Sequence, residues 1–331
     1  MKRRVGLLVM SYGTPRKESD ILPYYTHIRR GYPPTEEEVE NLKQRYAAIG
    51  GLSPLAKLTE IQARELERQL NESAQDVEYE LFIGNKHIEP TIEDAVTQMH
   101  EAGITEAVAI VMAPYFSMFA TASYFERARR RANRYDLKLY EVPAWNDEPE
   151  FIDYWAGALT NALHEAAQGN NAAREQLETV SEPQGNNAPP LRGEQIGVVF
   201  TAHSLPYHVI HMGDTYPQIV EETAHTIARK VGIDSYKMAW QSAGVRGDWL
   251  TPDVLDATKE FSDTVTKLIY VPIGFVCDHL EILYDNDKVC KDLCDTLGLA
   301  YKRVPMPNGD GLFVKAMAQA VRRQMNSNEV K

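Results

Sequence analysis

Residues 271–287 read VPIGFVCDHLEILYDND and contain the clearest strand-to-helix transition in the chain. They complete the apolar run KLIYVPIGF at 267–275 and continue into an amphipathic stretch that predicts a helix over 279–297. A short apolar run followed by a longer amphipathic stretch is typical of a β–α unit. The segment therefore predicts a buried strand whose carboxyl end carries several polar side chains.

The same alternation occupies most of the chain on either side of this segment. Strands are predicted at 5–10, 78–84, 106–114, 137–143, 196–204, 236–242 and 267–275. Helices are predicted at 35–48, 56–73, 90–102, 119–134, 216–231, 252–262, 279–297 and 311–325. Such a series favours parallel strands with helices on both faces. We predict an α/β fold with two similar doubly wound halves, residues 1–165 and residues 195–331.

Residues 166–194 interrupt this pattern with the sequence AAQGNNAAREQLETVSEPQGNNAPPLRGE. The triplet GNN occurs twice, and Pro, Gly, Asn, Gln and Glu dominate the composition. A biased polar segment of this kind is typical of a surface insertion or linker. We predict a low-complexity surface insertion with at most one weak helix near 172–180, and we assign it no chemistry.

Composition and charge exclude several classes of protein. The chain has 331 residues, of which 44% are hydrophobic and 25% are charged, so it can form a sizeable core. Lys and Arg total 35 and Asp and Glu total 47, which gives a formal net charge of −12. Such an acidic chain disfavours nucleic acid and anionic membrane faces as partners. No apolar run approaches the length of about 18 residues that predicts a transmembrane segment.

The cysteines and the N-terminus indicate the compartment. Cys277, Cys290 and Cys294 cannot all pair with one another, and the chain contains no CxxC motif, so a disulfide framework is not expected. The N-terminal apolar run, residues 5–10, is too short for a secretion signal and is predicted to be the first buried strand. We expect a protein of the reducing cytoplasm.

Candidate functional residues follow the predicted strands, because ligands of open α/β sheets bind beyond the carboxyl ends of the strands. Tyr12 follows the first strand, and neither a GxGxxG nor a GxxxxGK[ST] motif accompanies it, so a dinucleotide site has no support. His203 ends a strand within TAHSLP and is a candidate base or metal ligand, although a structural histidine fits equally well. His208 and His211 follow it at a spacing that fits no standard zinc site.

Acidic and basic side chains add two further patterns. In a helix beginning near Asp278, the carboxylates of Asp278, Glu281 and Asp285 share one face, which suits a divalent cation. The alternative for Asp278 is a helix N-cap. Arg29 and Arg45 belong to local basic clusters that suit an anionic ligand, with capping of helix C-termini or solvated helix faces as the alternative.

Several long blocks of the chain resemble the ferrochelatase family, specifically the coproporphyrin ferrochelatases of Gram-positive bacteria. The blocks are VGLLVMSYGTP at 5–15, YYTHIRRG at 24–31, RYAAIGGLSPL at 45–55, GNKHIEPTIEDAV at 84–96, TAHSLP at 201–206, VPIGFVCDHLEILYDND at 271–287 and MPN at 306–308. The resemblance implies two Rossmann-like halves with a porphyrin cleft between them. It also implies insertion of ferrous iron into a porphyrin.

The resemblance assigns roles to individual residues. It makes His203 and Glu281 the catalytic pair, and it implies porphyrin contacts for Tyr12, Arg29, Arg45, Tyr46, Ser53 and Tyr124. We expect His203, Glu281 and Asp285 to be the metal ligands. Ile28, Phe116, Tyr124 and Trp240 are expected to line the slot for the macrocycle. Val289 stands where family members often carry another acid, so an extended relay of acids for the metal is not expected.

The resemblance also indicates the substrate and the partners. Protoporphyrin-type enzymes carry methionine where Tyr12 stands, so a tyrosine favours coproporphyrin III, with coproheme as the product. Iron(II) is then a substrate, no organic cofactor is implied, and no iron–sulfur cluster is expected. We expect a monomer that hands its product to a downstream coproheme-processing enzyme. The alternatives are a related chelatase for protoporphyrin IX, cobalt or nickel, a non-catalytic porphyrin carrier and a Rossmann-like metabolic enzyme.

Overall fold

Eight parallel strands form two separate four-stranded sheets in the computed structural model, which describes residues 2–178, 195–244 and 247–329. The first sheet contains β1 (Arg3–Ser11), β2 (Val77–Asn85), β3 (Glu106–Val111) and β4 (Lys138–Val142). The second contains β5 (Ile196–His203), β6 (Lys237–Gln241), β7 (Lys267–Val271) and β8 (Ala300–Arg303). The strand orders are β2-β1-β3-β4 and β6-β5-β7-β8, so the same topology occurs twice. The predicted pair of parallel α/β halves is confirmed.

Helices connect the strands and cover both faces of each sheet. They are α1 (Ile21–Ile28), α2 (Glu36–Ala48), α3 (Leu55–Ser73), α4 (Ile92–Glu101), α5 (Ala122–Ala132), α6 (Pro149–Glu178), α7 (Tyr207–His211), α8 (Tyr216–Val231), α9 (Val254–Lys259), α10 (Lys291–Thr296) and α11 (Gly311–Glu329). A π-helical segment, Ile282–Cys290, precedes α10. The sequence patterns missed α1 as a separate element, α6, α7 and the short strand β8.

The first sheet is buried on both faces, and the side chains of β1 alternate between two cores. Leu7 and Val9 pack into a large core that also contains residues of α3, α6 and α11. Leu8 and Met10 pack into a second core beneath α4 and α5. A strand buried on both faces reads as a continuous apolar run, which explains VGLLVM at 5–10.

The two halves exchange their long helices. α11 packs on α3 and on β4 of the first sheet, although it lies at the C-terminal end of the chain. α6 packs on α8 and on β7 of the second sheet. The boundaries predicted at 165 and 195 therefore do not follow the packing, because each half is completed by a helix from the other half of the sequence.

The segment predicted as an insertion at 166–194 is partly helical. α6 extends through its first part to Glu178, so the helix predicted near 172–180 continues an existing helix. The remainder, 179–194, lies outside the described residues. Among the described helices, none combines the length and the apolar character that a membrane crossing requires.

Candidate active site

A cavity of about 1330 Å³ lies between the two halves at the carboxyl ends of their strands. Its wall includes Tyr12 after β1, Met112 after β3, His203 at the end of β5 and, after β7, residues 274–277 and 279–281. Residues of α1 and α2 complete the wall on the side of the first half. The cavity therefore occupies the place that the topology predicts for a ligand.

His203 is held in one orientation by backbone contacts. Its Nδ1 lies 2.6 Å from the carbonyl oxygen of Ser204, and a carbonyl only accepts, so Nδ1–H is the donor. The hydroxyl of Tyr216 donates to the carbonyl oxygen of His203 at 3.1 Å. In the neutral imidazole, Nε2 therefore keeps its lone pair for an incoming proton or metal.

Gly274 allows the loop after β7 to approach the end of β5. A Cβ atom at this position would lie 2.5 Å from Cβ of Ala202 and 2.6 Å from its Cα. The amide of Gly274 donates to the carbonyl oxygen of Thr201 at 3.1 Å. This close approach brings residues 279–281 into the cavity wall together with His203.

Glu281 stands between two imidazoles. Its Oε1 lies 3.7 Å from Nε2 of His203, and its Oε2 lies 3.7 Å from Nε2 of His279. The Nδ1 of His279 donates to the carbonyl oxygen of Cys277 at 2.9 Å, so its Nε2 also faces the carboxylate. Burial alone would raise the pKa of Glu281, but His203, His279 and Arg45 together lower it to about 2. A protonated imidazole on either side therefore favours the ionised form of Glu281.

The helix that carries Glu281 differs from the predicted one. It begins at Leu280 and becomes π-helical from Ile282 onward. Asp278 therefore precedes the helix. The carboxylate of Asp278 accepts from Arg303 at 3.1 Å and from Asn308 at 2.8 Å. The predicted face of three carboxylates is therefore wrong for Asp278. Asp278 is not the N-cap of this helix, and its carboxylate ties the segment to β8 and to the loop that carries Asn308.

Asp285 is engaged by protein donors. Its Oδ1 accepts from Arg45 at 2.8 Å and its Oδ2 accepts from the hydroxyl of Ser242. Burial raises the pKa of Asp285, whereas the Ser242 hydrogen bond and Arg45 oppose that rise. The part of the chain that the structure describes contains no group of three His, Cys, Asp or Glu side chains arranged for a metal. His203 and Glu281 lie 3.7 Å apart, and the set His203, Glu281 and Asp285 as metal ligands stays a prediction.

The structure brings most of the expected porphyrin contacts to the cavity. The wall contains Tyr12, Arg45, Tyr46, Ser53 and Tyr124, together with Ile28. Arg29 is not among the wall residues; its guanidinium pairs with Glu38 at 2.6 Å, whereas its neighbour Arg30 lines the cavity. A porphyrin contact of Arg29 stays a prediction.

Two of the expected slot residues are misplaced. Neither Phe116 nor Trp240 lines the cavity, so the expectation is wrong for both. Trp240 is only 2% exposed, and its ring lies 5.7 Å from that of Tyr216 in the core. From sequence alone, a tryptophan near the end of a strand fits a ligand contact and a core position equally well. In the structure, Trp240 is a core residue.

The wall on the side of the first half is aromatic. Residue Tyr12 is 42% exposed, and its ring centre lies 4.4 Å from that of the His87 imidazole. Gly13 has φ 83°, and a Cβ there would lie 2.6 Å from Ile88, so only glycine permits this turn. Burial, and then the charge of Glu281, raises the pKa of Tyr12, so its phenol is neutral. Burial lowers the pKa of His87 to about 3.

Lys86 places a cation in the same wall. Its ammonium lies 4.7 Å from the ring centre of Tyr124 and donates to the carbonyl oxygen of Ala120 at 3.4 Å. Burial and then the nearby Arg127 lower its pKa to about 8. The sequence reasoning missed both Lys86 and His279. Each lies inside a block that carries the family resemblance. Their position in these blocks, next to the assigned residues, was the one sequence feature that could have identified them.

Comparison with known proteins agrees with this geometry. The ferrochelatase family profile matches residues 4–325. A coproporphyrin III ferrochelatase from a Geobacillus species is 47% identical and covers 98% of this chain and 99% of its own length. One from Halalkalibacterium halodurans is 43% identical, with 99% of both chains covered. The chain belongs to the ferrochelatase family.

Solved structures show the same fold at lower similarity. SirB from Bacillus subtilis with Fe³⁺ superimposes with a TM-score of 0.56 at 12% identity, over 100% of this chain and 98% of that one. A sirohydrochlorin chelatase SirB from Bacillus subtilis subspecies spizizenii in complex with cobalt gives a TM-score of 0.52, also at 12% identity, over the same shares of the two chains. These likenesses concern the arrangement of the two sheets alone.

Proposed function

We propose that this protein inserts ferrous iron into coproporphyrin III and releases coproheme, as a step of haem biosynthesis. The observation that carries the proposal is the carboxylate of Glu281 between the Nε2 atoms of His203 and His279, in the wall of a cavity of about 1330 Å³. Full-length relatives that share more than two-fifths of the sequence bear the name coproporphyrin III ferrochelatase, which supports the choice of substrate.

A porphyrin with four propionates requires local positive charge in a protein whose net charge is −12. Arg30, Arg45 and Lys86 line the cavity and supply that charge. Guanidinium groups pair with carboxylates through two parallel hydrogen bonds, so Arg45 and Arg30 suit the propionates. Ser53 and Tyr46 add neutral donors in the same wall. The apolar macrocycle lies against the remaining wall, which includes Ile28 and Leu280.

Metal insertion replaces two pyrrole N–H protons by one iron(II) ion, so the site must accept two protons. His203 presents a free Nε2 for the first proton, because its Nδ1–H is committed to Ser204. Glu281 remains ionised and stabilises the imidazolium that forms, and it offers an oxygen ligand to the incoming iron. His279 presents a second Nε2 to the same carboxylate and suits the second proton.

Bending of the flat macrocycle exposes the nitrogen lone pairs, and contacts remote from the centre offset the strain. Tyr12 faces the cavity as a neutral phenol and suits contact with the ring or with the iron of the product. Arg45 and Arg30 would hold the propionates while the centre distorts. The contacts at the edge of the ring thus contribute to the chemistry at its centre.

Iron(II) is a substrate in this scheme, and we propose no organic cofactor and no iron–sulfur cluster. The three cysteines are buried and form no disulfide, which suits the reducing cytoplasm. We propose that the protein acts as a monomer. The product would pass to a downstream coproheme-processing enzyme.

Anaerobic incubation with iron(II) and coproporphyrin III, followed by absorbance, tests the proposal. The expected result is conversion of the free-base spectrum to that of the iron porphyrin over many turnovers. Parallel incubations with cobalt(II) and nickel(II) test the metal. Stoichiometric binding of coproporphyrin without metal insertion would identify a carrier and contradict the proposal.

A further inference from the structure

We propose that Arg303 is a positioning residue for the catalytic segment, acting as a brace that holds both ends of the stretch that carries His279 and Glu281. The inference rests on the proposed function for its activity readout. Arg303 is the last residue of β8, and its hydrogen-bond partners Asp278, Asp287 and Val304 are not among the residues that line the cavity.

The guanidinium of Arg303 joins two aspartates that flank the segment. Its Nε donates to Oδ1 of Asp287 at 2.7 Å, and its Nη2 donates to Oδ2 of Asp287 at 2.8 Å. The same Nη2 donates to Oδ1 of Asp278 at 3.1 Å. One planar cation therefore fixes the distance between a residue just before the helix and a residue in its π-helical part.

Two neighbouring side chains occupy further atoms of the aspartates. Asn308 donates from Nδ2 to Oδ2 of Asp278 at 2.8 Å, and its Oδ1 accepts from the backbone N–H of Asp278 at 2.8 Å. Tyr301 donates its hydroxyl to Oδ1 of Asp287 at 2.9 Å. Each carboxylate oxygen of the two aspartates thus accepts at least one hydrogen bond, which fixes their orientation.

The backbone between the two aspartates explains why a brace is needed. Ile282–Cys290 is π-helical, and π-helix is rare because its hydrogen-bonded turns are wider than those of an α-helix. A return to α-helical turns would change both the length and the rotation between 278 and 287. Glu281 lies within that interval, so the change would shift its carboxylate relative to His203 on β5.

Arg303 is well suited to resist such a change. Its side chain is only 13% exposed, so salt screens its ion pairs less than it screens those on the surface. β8 pairs with β7 in register, with Tyr270 opposite Arg303, which anchors the brace to the sheet that also carries His203. The brace therefore holds the imidazole of His279 and the carboxylate of Glu281 in position relative to the sheet that carries His203.

The test compares Arg303→Met, Arg303→Lys and Asp287→Asn with the wild type. We expect kcat for metal insertion to fall about a hundredfold in Arg303→Met, because a misplacement near 1 Å is enough for such a loss. The Kd for coproporphyrin should stay within about threefold, because no binding residue is removed. The kcat of Arg303→Lys should lie between those of the wild type and Arg303→Met, because an ammonium group can reach one of the two aspartates but not both. The kcat of the double variant Arg303→Met/Asp287→Asn should equal that of Arg303→Met, because both substitutions remove the same ion pair.

The matched control is Arg129→Met, which removes an arginine bound to Glu141 through two hydrogen bonds of 2.9 and 2.8 Å outside this segment. It should leave kcat unchanged. Hydrogen exchange of residues 279–290 supplies a readout that does not depend on activity. That segment should exchange faster in Arg303→Met, while the protection of β5 and β7 stays as in the wild type.

A folded Arg303→Met variant with kcat within about twofold of the wild type, or with only its KM changed, would overturn the proposal. Unchanged hydrogen exchange over 279–290 would overturn it as well. If Arg303→Met does not fold, Arg303→Lys and Asp287→Asn carry the same comparison. If the wild type inserts no iron, the proposed function fails, whereas the exchange experiment still decides on the brace.

Discussion

Arg45 of α2 and Asp285 of the π-helical segment form an ion pair of 2.8 Å that joins the two halves beside the cavity. The guanidinium also lies 4.7 Å from the ring centre of Tyr284. Arg45 lines the cavity, whereas Asp285 lies behind it and takes a second hydrogen bond from Ser242. Asp285 therefore orients a residue that is expected to bind substrate.

Replacing Arg45 by Leu should weaken the binding of coproporphyrin III. A charge-assisted hydrogen bond is worth about 1.5–3 kcal/mol, so the Kd should rise about tenfold or more. The loss should be larger at low salt, because the wild type gains more from charge there. Fluorescence titration at two salt concentrations measures both effects. Arg64→Leu, which removes a surface pair with Glu60, is the control, and equal affinity of Arg45→Leu and wild type would exclude Arg45 from binding.

Replacing His203 by Ala should abolish metal insertion and spare porphyrin binding. Loss of a general base lowers rates by about 10²–10⁴-fold, and the side chain is one of many that line the cavity. Turnover and binding titration are measured on the same preparation. His208→Ala on the neighbouring helix α7 removes an exposed imidazole and should behave as the wild type. Activity of His203→Ala within a few-fold of the wild type would remove His203 from the mechanism.

Glu281→Gln and Asp285→Asn should differ in severity. Gln keeps the shape of Glu281 but removes the charge that stabilises two imidazoles, so metal insertion should be lost. Asn at 285 still accepts a hydrogen bond from Arg45, so its activity should fall only moderately. Steady-state kcat with coproporphyrin III measures the order. A larger loss of kcat in Asp285→Asn than in Glu281→Gln would contradict the greater catalytic importance assigned to Glu281.

Lys86 should make stability depend on pH in the alkaline range. Burial lowers its pKa to about 8 in the folded protein from an ordinary value of 10.5. Between these values the unfolded chain binds more protons than the folded chain, so the free energy of unfolding rises with pH. In Lys86→Met this contribution is absent, so the stability of the variant relative to the wild type should be greatest below pH 8 and shrink above it.

Urea unfolding at several pH values measures this difference for Lys86. Lys57→Met, which replaces an exposed lysine, should show the same stability difference from the wild type at every pH. A difference for Lys86→Met that is independent of pH would mean that the lysine is not desolvated in the folded protein.

The alternation of apolar and amphipathic runs was enough to predict two parallel sheets, because strands buried on both faces leave continuous apolar runs such as residues 5–10. It missed β8, since four residues that are mostly half-buried give no such run. The exchange of α6 and α11 between the halves was also beyond prediction, because an amphipathic helix specifies an apolar face but not its partner.

The candidate site followed from the same logic only in part. His203 and Glu281 were found because both follow predicted strands within blocks of family resemblance. Asp278 was misplaced because the prediction assumed α-helical spacing, whereas the helix starts later and is π-helical. Arg29 was placed in the cavity on resemblance alone, and its ion pair with Glu38 depends on a contact between α1 and α2 that no local pattern encodes.

Competition between two porphyrins tests the central claim most directly. Coproporphyrin III and protoporphyrin IX are mixed at equal concentration with limiting iron(II) and the wild-type protein, without oxygen, and the two iron porphyrins are quantified by chromatography. Loss of one charge-assisted hydrogen bond to a propionate already gives about tenfold discrimination. We therefore expect iron coproporphyrin III to exceed iron protoporphyrin IX by about tenfold or more. Equal amounts of both products would contradict the assignment of coproporphyrin III as the substrate.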